Sequence, residues 1–198
     1  MKIIKRVYIV HGWEGSPDEP MHKWLKKQLE NKGFGINALK MPNPALPIRD
    51  EWIEHLNREV KNPDENTYFI GHSLGCQTIL RWLEQLPKNI KIGGVVLIAP
   101  WLSLDKKTIE EEDWSEEEFK VAKPWFMPID FPKCTEHCEK FICIFSDNDP
   151  YVPLSSTKTF KDKLRAEVII EKNKGHFDIG SGVKDNPTAL KKLLEISK

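Results

Sequence analysis

Six short apolar runs alternate with helical patterns along this sequence, and the alternation restricts the fold more than any other feature. The apolar runs lie at residues 7–10, 36–41, 68–70, 95–99, 141–145 and 168–170. Apolar residues at helical spacing occur within residues 21–31, 52–60, 76–83, 155–164 and 187–196. Strands separated by helices form β-α-β units, which build a parallel sheet with helices on both faces. The sequence therefore predicts an α/β fold, a three-layer α/β/α sandwich with a mainly parallel sheet of about six strands.

Length and charge narrow the possible classes of protein. The chain has 198 residues, the size of one ordinary domain, so we expect a single domain over residues 1–198. Its 30 basic and 30 acidic residues balance, which argues against nucleic-acid and membrane partners. No apolar run approaches the about 20 residues that span a bilayer, and residues 7–10 are too short for a secretion signal. Four cysteines do not make a disulfide scaffold in a chain of this length, so the predicted location is the cytoplasm.

One connection is much longer than a β-α-β unit requires. About forty residues separate the fourth and fifth apolar runs, and connections of this length are typically functional covers or disordered loops. The segment carries too many large apolar side chains for a disordered loop: Trp101, Trp114, Trp125, Phe126, Met127 and Phe131. We therefore predict a small lid at about residues 101–139, and we expect Trp101, Trp125 and Phe126 to contribute to a substrate pocket.

The acidic residues of this segment have two interpretations. Residues 110–118 carry a run of carboxylates that could attract a cationic substrate. The same run contains Ser115 followed three residues later by Glu118, which fits a capping box at the start of a helix. A solvated helix start is the commoner meaning of such a pattern, and the sequence favours it.

The third apolar run ends in a serine flanked by glycines, GHSLG at residues 71–75, and a helical pattern follows at once. Gly71 and Gly75 stand where a side chain would collide with a neighbouring strand or helix as the chain reverses direction. Strand, tight turn and helix are the context of a nucleophile elbow, which holds its serine at the carboxyl edge of the sheet. We therefore expect Ser73 to be a nucleophile, and the N–H of Leu74 to be one oxyanion donor.

A nucleophilic serine needs a base, and the base needs a carboxylate. The fifth apolar run is followed by Asp147 and Asp149, and the sixth is followed by His176. Because parallel strands end at one edge, these loops open beside Ser73. Either aspartate could reach the histidine, although Pro150 restricts the backbone of Asp149.

The remaining histidines and cysteines give weaker signals. We expect His11 and His72 to be framework residues, and His22, His55 and His137 to be solvated. Cys134, His137, Cys138 and Cys143 resemble a metal set, but Cys143 lies in an apolar run and the spacing of the others is not that of common zinc knuckles. The sequence predicts neither a metal nor an organic cofactor.

Four loop segments together resemble the α/β-hydrolase superfamily, and within it the small serine hydrolases related to retinoblastoma-binding protein 9 and to bacterial YdeN-type proteins. The segments are HGWEGSP, GHSLGC, DNDPYVP and GHF. In that family the acid is the aspartate of a D-P-x-[VL]-P segment, so the resemblance implies Asp149 as the acid. It likewise implies Ser73 as nucleophile and His176 as base. The lid segment matches no family motif that would indicate the substrate.

The expected activity is hydrolysis of a small ester, thioester or amide, most simply a carboxylesterase-like reaction. The oxyanion would meet the N–H groups of Leu74 and of Trp13, the residue after His11-Gly12. One alternative is a small aminopeptidase-type peptidase with the same residues. The other is an inactive hydrolase fold that binds a protein. An L-x-C-x-E string, which would indicate a retinoblastoma-type partner, does not occur, because the nearest match at residues 74–78 lacks the glutamate.

Overall fold

The computed structural model of the chain describes residues 4–105, 110 and 114–198, and these residues build a six-stranded parallel sheet. The strands are β1 (Arg6–Val10), β2 (Gly35–Leu39), β3 (Thr67–His72), β4 (Gly94–Ile98), β5 (Phe141–Ser146) and β6 (Glu167–Glu171). Their order across the sheet is β2-β1-β3-β4-β5-β6, with every neighbouring pair parallel. The predicted α/β class and the mainly parallel sheet are confirmed.

Helices cover both faces of the sheet. The α-helices with assigned bounds are α1 (Pro20–Glu30), α2 (Arg49–Glu59), α3 (Leu74–Leu83), α4 (Glu116–Ala122), α5 (Phe131–His137), α6 (Ser156–Leu164) and α7 (Pro187–Ile196). Helices α2, α3, α5 and α6 pack side by side in one layer, and α1 contacts α7. Strands β3, β4 and β5 are buried along their whole length, as expected for central strands of a sheet covered on both faces.

The strand order reverses direction between β1 and β3, and this reversal places a crevice at the carboxyl edge. From β1 the chain first passes to β2 on one side, and later returns to β3 on the other side. Loops that leave neighbouring strands in opposite directions separate at such a point, and ligands of open α/β sheets bind there. The loop after β1 and the serine corner after β3 both lie at this point.

The glycines of the serine corner are required by close backbone contacts. A Cβ at Gly75 would lie 2.2 Å from the carbonyl oxygen of Val10 and 2.7 Å from that of His11. A Cβ at Gly71 would lie 2.8 Å from Ile79 Cδ1. Helix α3 can therefore start directly against β1 and β3 only because these two positions carry no side chain.

The insertion between β4 and β5 is tied to the body of the protein. A capping box formed by Ser115 and Glu118 starts α4, as the sequence predicts. A 3₁₀ helix (Lys123–Phe126) follows, and buried Arg81 of α3 donates a hydrogen bond to the carbonyl oxygen of Trp125 at 3.0 Å. Gln77 of the same helix donates to the carbonyl oxygen of Trp101 at 2.6 Å. The extent of the lid and the single-domain assignment stay predictions.

None of the helices in the described part of the chain is both long enough and apolar enough to cross a membrane.

Candidate active site

Ser73 occupies a strained backbone conformation between β3 and α3. Its φ of 49° and ψ of −115° lie outside the regions that L-residues normally adopt. Such a conformation costs about 1–3 kcal/mol and persists only where the surrounding structure enforces it. Here the Ser73 N–H donates to the carbonyl oxygen of Ile98 at 2.9 Å, and the Gly71 and Gly75 contacts fix the turn on both sides. The strain is the mark of a nucleophile elbow.

The loop after β1 lies directly against this serine. A Cβ at Gly12 would lie 3.1 Å from Ser73 Cβ, so the glycine allows the loop to approach the serine. The backbone N–H groups of Trp13 and Leu74 make no hydrogen bond within the described part of the chain. Leu74 is the first residue of α3, where the helix dipole favours negative charge. Both amides are therefore available to a ligand beside Ser73.

His176 and Asp149 form a buried hydrogen-bonded pair. The Nδ1 atom of His176 lies 2.9 Å from Asp149 Oδ2 and 3.1 Å from Oδ1. The Asp149 side chain is 1% exposed, and its Oδ1 also accepts the N–H groups of Tyr151 at 2.9 Å and Val152 at 3.0 Å. The carboxylate is thus held in one orientation. Because a carboxylate accepts hydrogen bonds, the imidazole hydrogen lies on Nδ1. Nε2 is then the nitrogen that carries the lone pair.

The neighbouring Asp147 has a different role. It is exposed, and its Oδ1 accepts the N–H of Asn173 at 2.8 Å in the loop after β6. Asn148 Oδ1 accepts the N–H of Gly175 at 2.9 Å, and Ser146 Oγ accepts that of Lys174 at 3.0 Å. These three side chains at the end of β5 hold the loop that carries the histidine. Of the two aspartates that the residue pattern left open, the structure pairs Asp149 with His176.

A cavity of ≈ 670 Å³ opens above the serine, and both Ser73 and His176 line it. Trp13 and Leu74 also line it, together with Trp101, so these predicted site residues come together. Trp101 is buried against the Phe126 ring, with 5.4 Å between the ring centroids.

Trp125 and Phe126 are not among the described residues that line this cavity. Trp125 is 1% exposed, stacks edge-on against Trp52 and donates its Nε1–H to the carbonyl oxygen of Pro47 at 2.9 Å. It anchors the insertion in the core. Phe126 packs against Trp101, which does line the cavity.

Several lining residues do not follow from the sequence patterns. Tyr151 packs edge-on against the His176 ring at 4.9 Å, and Trp114 stacks on Trp13 at 5.3 Å. Four carboxylates also line the cavity, from Glu14, Glu19, Glu118 and Asp178, whereas no lysine or arginine of the described residues does. Tyr151 follows Asp149-Pro150 directly in the sequence, and this position could have predicted that Tyr151 lies at the site. Glu14 and Glu19 come from the connection between β1 and α1, Glu118 comes from α4, and Asp178 comes from the loop after β6, so no local pattern marks the group.

Three buried histidines surround the site. His11 accepts the N–H of Met41 at Nε2 and donates Nδ1–H to the carbonyl oxygen of Gly12, which confirms its framework role. His72 donates Nε2–H to the carbonyl oxygen of His176 at 2.7 Å. The prediction that His22 and His137 are solvated is wrong, because they are 0% and 2% exposed. Burial lowers the pKa of His11, His22 and His72, so these side chains are neutral near pH 7.

These three histidines make the stability of the protein depend on pH. In the unfolded chain they titrate near pH 6.5, whereas in the native state burial lowers each pKa. Below about pH 6.5 the unfolded chain therefore binds more protons, and the free energy of unfolding falls as pH decreases, by up to about 1.4 kcal/mol per pH unit for each histidine. Burial raises the pKa of Glu19. This shift makes the free energy of unfolding rise as pH decreases, but it comes from one group against three histidines.

Urea unfolding between about pH 7.5 and pH 5.5 measures this effect. We expect stability to fall across that interval. A free energy of unfolding that stays constant or rises toward pH 5.5 would contradict the prediction.

The cysteines offer no competing nucleophile. All four are free and buried, and burial raises the pKa of each thiol. A buried thiol with a raised pKa forms little of the thiolate that attacks or binds metal.

A strained serine at the carboxyl edge of a parallel sheet, with an aspartate on the loop after β5 paired to a histidine on the loop after β6, defines an α/β hydrolase. The chain belongs to the serine hydrolase family, whose model matches residues 7–195. It is 33% identical to YdeN of Bacillus subtilis (strain 168) over 173 residues, which are 87% of this chain and 86% of that protein. It is 26% identical to the serine hydrolase RBBP9 of Rattus norvegicus over 168 residues, 84% of this chain and 78% of that protein.

The solved structures agree with this assignment. The crystal structure of the ydeN gene product from B. subtilis superposes with a TM-score of 0.84 at 30% identity, covering 97% of this chain and 98% of that chain. The carboxylesterase CesB of B. subtilis superposes with a TM-score of 0.64 at 14% identity, covering 99% of this chain and 84% of that chain. The second likeness is one of fold alone.

Proposed function

We propose that the protein hydrolyses a small ester, thioester or amide through an acyl-enzyme on Ser73, most simply as a carboxylesterase. The observation that carries the proposal is the buried pair of Asp149 and His176, at 2.9 Å, beside the cavity that Ser73 lines. Membership of the serine hydrolase family supports the same class of reaction.

In the first half-reaction, Ser73 Oγ attacks the substrate carbonyl carbon while His176 Nε2 takes the hydroxyl proton. Asp149 keeps the Nδ1 hydrogen in place and stabilises the imidazolium that forms. The tetrahedral intermediate then expels the alcohol, thiol or amine, which leaves with the proton from His176. In the second half-reaction the same histidine activates a water, and the acid is released from Ser73.

The two backbone amides of Leu74 and Trp13 would receive the negative charge of the tetrahedral oxygen. Their availability and the closeness of Gly12 to Ser73 support this assignment. One such donor typically lowers the barrier by about 3 kcal/mol. No step of this reaction needs a metal or an organic cofactor, since the histidine performs both proton transfers.

The cavity supports a preference for a small acyl group with an aromatic or cationic part. Trp13, Trp101 and Tyr151 provide aromatic surface, and Glu118 and Asp178 place carboxylates at the same cavity. A carboxylate-lined site attracts a protonated amine. This observation favours a second candidate, an aminopeptidase-type reaction on a substrate with a free amino group.

A fluorophosphonate probe tests the nucleophile directly. We expect one covalent adduct per chain, found by mass spectrometry on the peptide that contains Ser73, because only an activated serine reacts with such a probe. Labelling of another residue with Ser73 unmodified would contradict the proposal.

Matched substrates then separate the candidate activities. A p-nitrophenyl acetate assay reports esterase turnover, and an amino-acid p-nitroanilide with a free amine reports the peptidase reaction. Turnover of the ester alone supports the carboxylesterase, and turnover of the anilide supports the peptidase. Absence of both, together with absence of labelling, would support the remaining class, an inactive hydrolase fold that binds a protein partner. A cytoplasmic location is part of the proposal, and the four free thiols support it.

A further inference from the structure

Two buried histidines behind the serine have ring nitrogens without a partner. His22 of α1 and His72 of β3 are 0% and 4% exposed, and their ring centroids lie 5.8 Å apart. Within the described part of the chain, His22 Nε2 and His72 Nδ1 are buried and make no hydrogen bond. Buried polar atoms are nearly always satisfied, so each such atom needs an explanation.

Backbone carbonyls determine the tautomer of both rings. His22 Nδ1 lies 3.0 Å from the carbonyl oxygen of Ser16, and His72 Nε2 lies 2.7 Å from that of His176. A carbonyl oxygen can only accept, so these two nitrogens carry the hydrogens. The two orphaned nitrogens, His22 Nε2 and His72 Nδ1, therefore carry lone pairs. Metal-bound histidines are held in the same way, because the ring N–H opposite the metal is donated to a carbonyl or carboxylate.

A carboxylate completes the group. Glu19, His22 and His72 each offer a ligand atom, and these atoms lie within 4.8 Å of one another. Glu19 Oε1 accepts the N–H of Ser16 at 2.8 Å, which orients the carboxylate. Two imidazoles and one glutamate are a ligand set of catalytic zinc sites, which leave one coordination position open.

We propose that Glu19, His22 and His72 bind one divalent transition-metal ion, with zinc as the best fit, in the wall of the cavity beside Ser73. Glu19 and His72 both line that cavity, which provides the entry path for the ion. Bonds of about 2.1 Å in a tetrahedral site put ligand atoms about 3.4 Å apart. Because the ligand atoms now lie within 4.8 Å of one another, each pair would approach by at most about 1.4 Å around the ion.

The site would couple metal binding to the loop that carries the catalytic base. An ion on His72 Nδ1 fixes the ring whose Nε2–H donates to the His176 carbonyl oxygen. The sequence does not indicate this site, because Glu19 and His22 lie about fifty residues from His72 and have no metal-ligand spacing with it. Metal binding itself is independent of the proposed hydrolase activity, so failure of one proposal leaves the other standing.

Untagged, reduced and metal-free protein provides the test, with zinc competed against a chromophoric chelator and cobalt(II) followed by its visible absorption. We expect one equivalent of zinc to bind, the intense cobalt bands of a four-coordinate site, and a melting temperature that rises with zinc. His22→Gln and Glu19→Gln should each weaken binding by at least about tenfold. His55→Gln removes a histidine outside the group and should leave binding unchanged.

Each outcome of the binding experiment either supports or overturns the proposed metal site. If His22→Gln unfolds the protein, the partly exposed Glu19→Gln decides the question alone. No saturable binding of zinc or cobalt would overturn the proposal, and a bridging water would then satisfy the two imidazoles. Binding of one equivalent that neither substitution weakens would also overturn it, because the ion would lie elsewhere.

Discussion

Ser73→Ala should lower ester turnover by about 10⁴-fold or more and abolish fluorophosphonate labelling. The substitution removes the attacking oxygen, while Asp149, His176 and the backbone amides stay in place. Activity that remains would come from those groups acting on a bound water, which is much slower than attack by an activated serine. Steady-state kinetics on p-nitrophenyl acetate, with the variant purified separately from the wild-type protein, measures the loss.

Ser155→Ala is the matched control for this substitution. Ser155 is exposed, and its side chain makes no capping hydrogen bond to α6. Its replacement should leave turnover and labelling unchanged. The Ser73 variant should keep the wild-type fold, since alanine and serine tolerate a φ of 49° about equally. A well-folded Ser73→Ala protein that retains more than about a hundredth of the turnover would exclude Ser73 as the nucleophile.

The fold could be predicted because its signal is local and repeated. Each strand is a short apolar run between helical patterns, and the central strands β3, β4 and β5 are buried along their whole length. Parallel sheets require helical connections, so the sequence of elements determines the class of architecture. The order of the strands in the sheet is not local, and it came from the structure alone.

The serine corner could be predicted for a similar reason. A strand, a serine between glycines and a helix follow one another directly in the sequence, and a Cβ at Gly71 would meet Ile79 of that same helix. The contact of Gly75 with Val10 and His11 joins distant parts of the chain, and it came from the structure. The choice between Asp147 and Asp149 could not be made from loop length, because both can reach the histidine. Their hydrogen bonds distinguish the two side chains. Asp147 accepts the Asn173 N–H, whereas Asp149 pairs with the His176 ring.

The cavity wall was the least predictable part. Trp101 and Trp125 are both tryptophans of the same insertion. However, Trp101 lines the cavity, whereas Trp125 anchors the insertion in the core. The sequence predicts a solvated His22 because its neighbours form a helical segment with polar residues. Its burial arises from contacts with the end of β3, which lies about fifty residues away in the sequence.

Asp149→Asn should lower kcat by about 10³ to 10⁴-fold while Asp147→Asn changes it by no more than about twofold. The N–H groups of Tyr151 and Val152 both donate to Asp149 Oδ1, so an asparagine keeps its oxygen there. Its NH₂ group then replaces Oδ2 opposite His176 Nδ1, at 2.9 Å. An amide that donates to Nδ1 stabilises the tautomer with hydrogen on Nε2, and this nitrogen can no longer accept the Ser73 proton.

Asp147→Asn is the control for the same chemical change two residues earlier. Asparagine keeps the oxygen that accepts the Asn173 N–H, and the position is exposed, so the loop after β6 stays in place. The kcat of both variants on one p-nitrophenyl ester, together with their urea unfolding curves, makes the comparison. Equal losses would mean that the two carboxylates act only by holding the loop. A large loss in Asp147→Asn alone would assign the acid to Asp147 and contradict the pairing of Asp149 with His176.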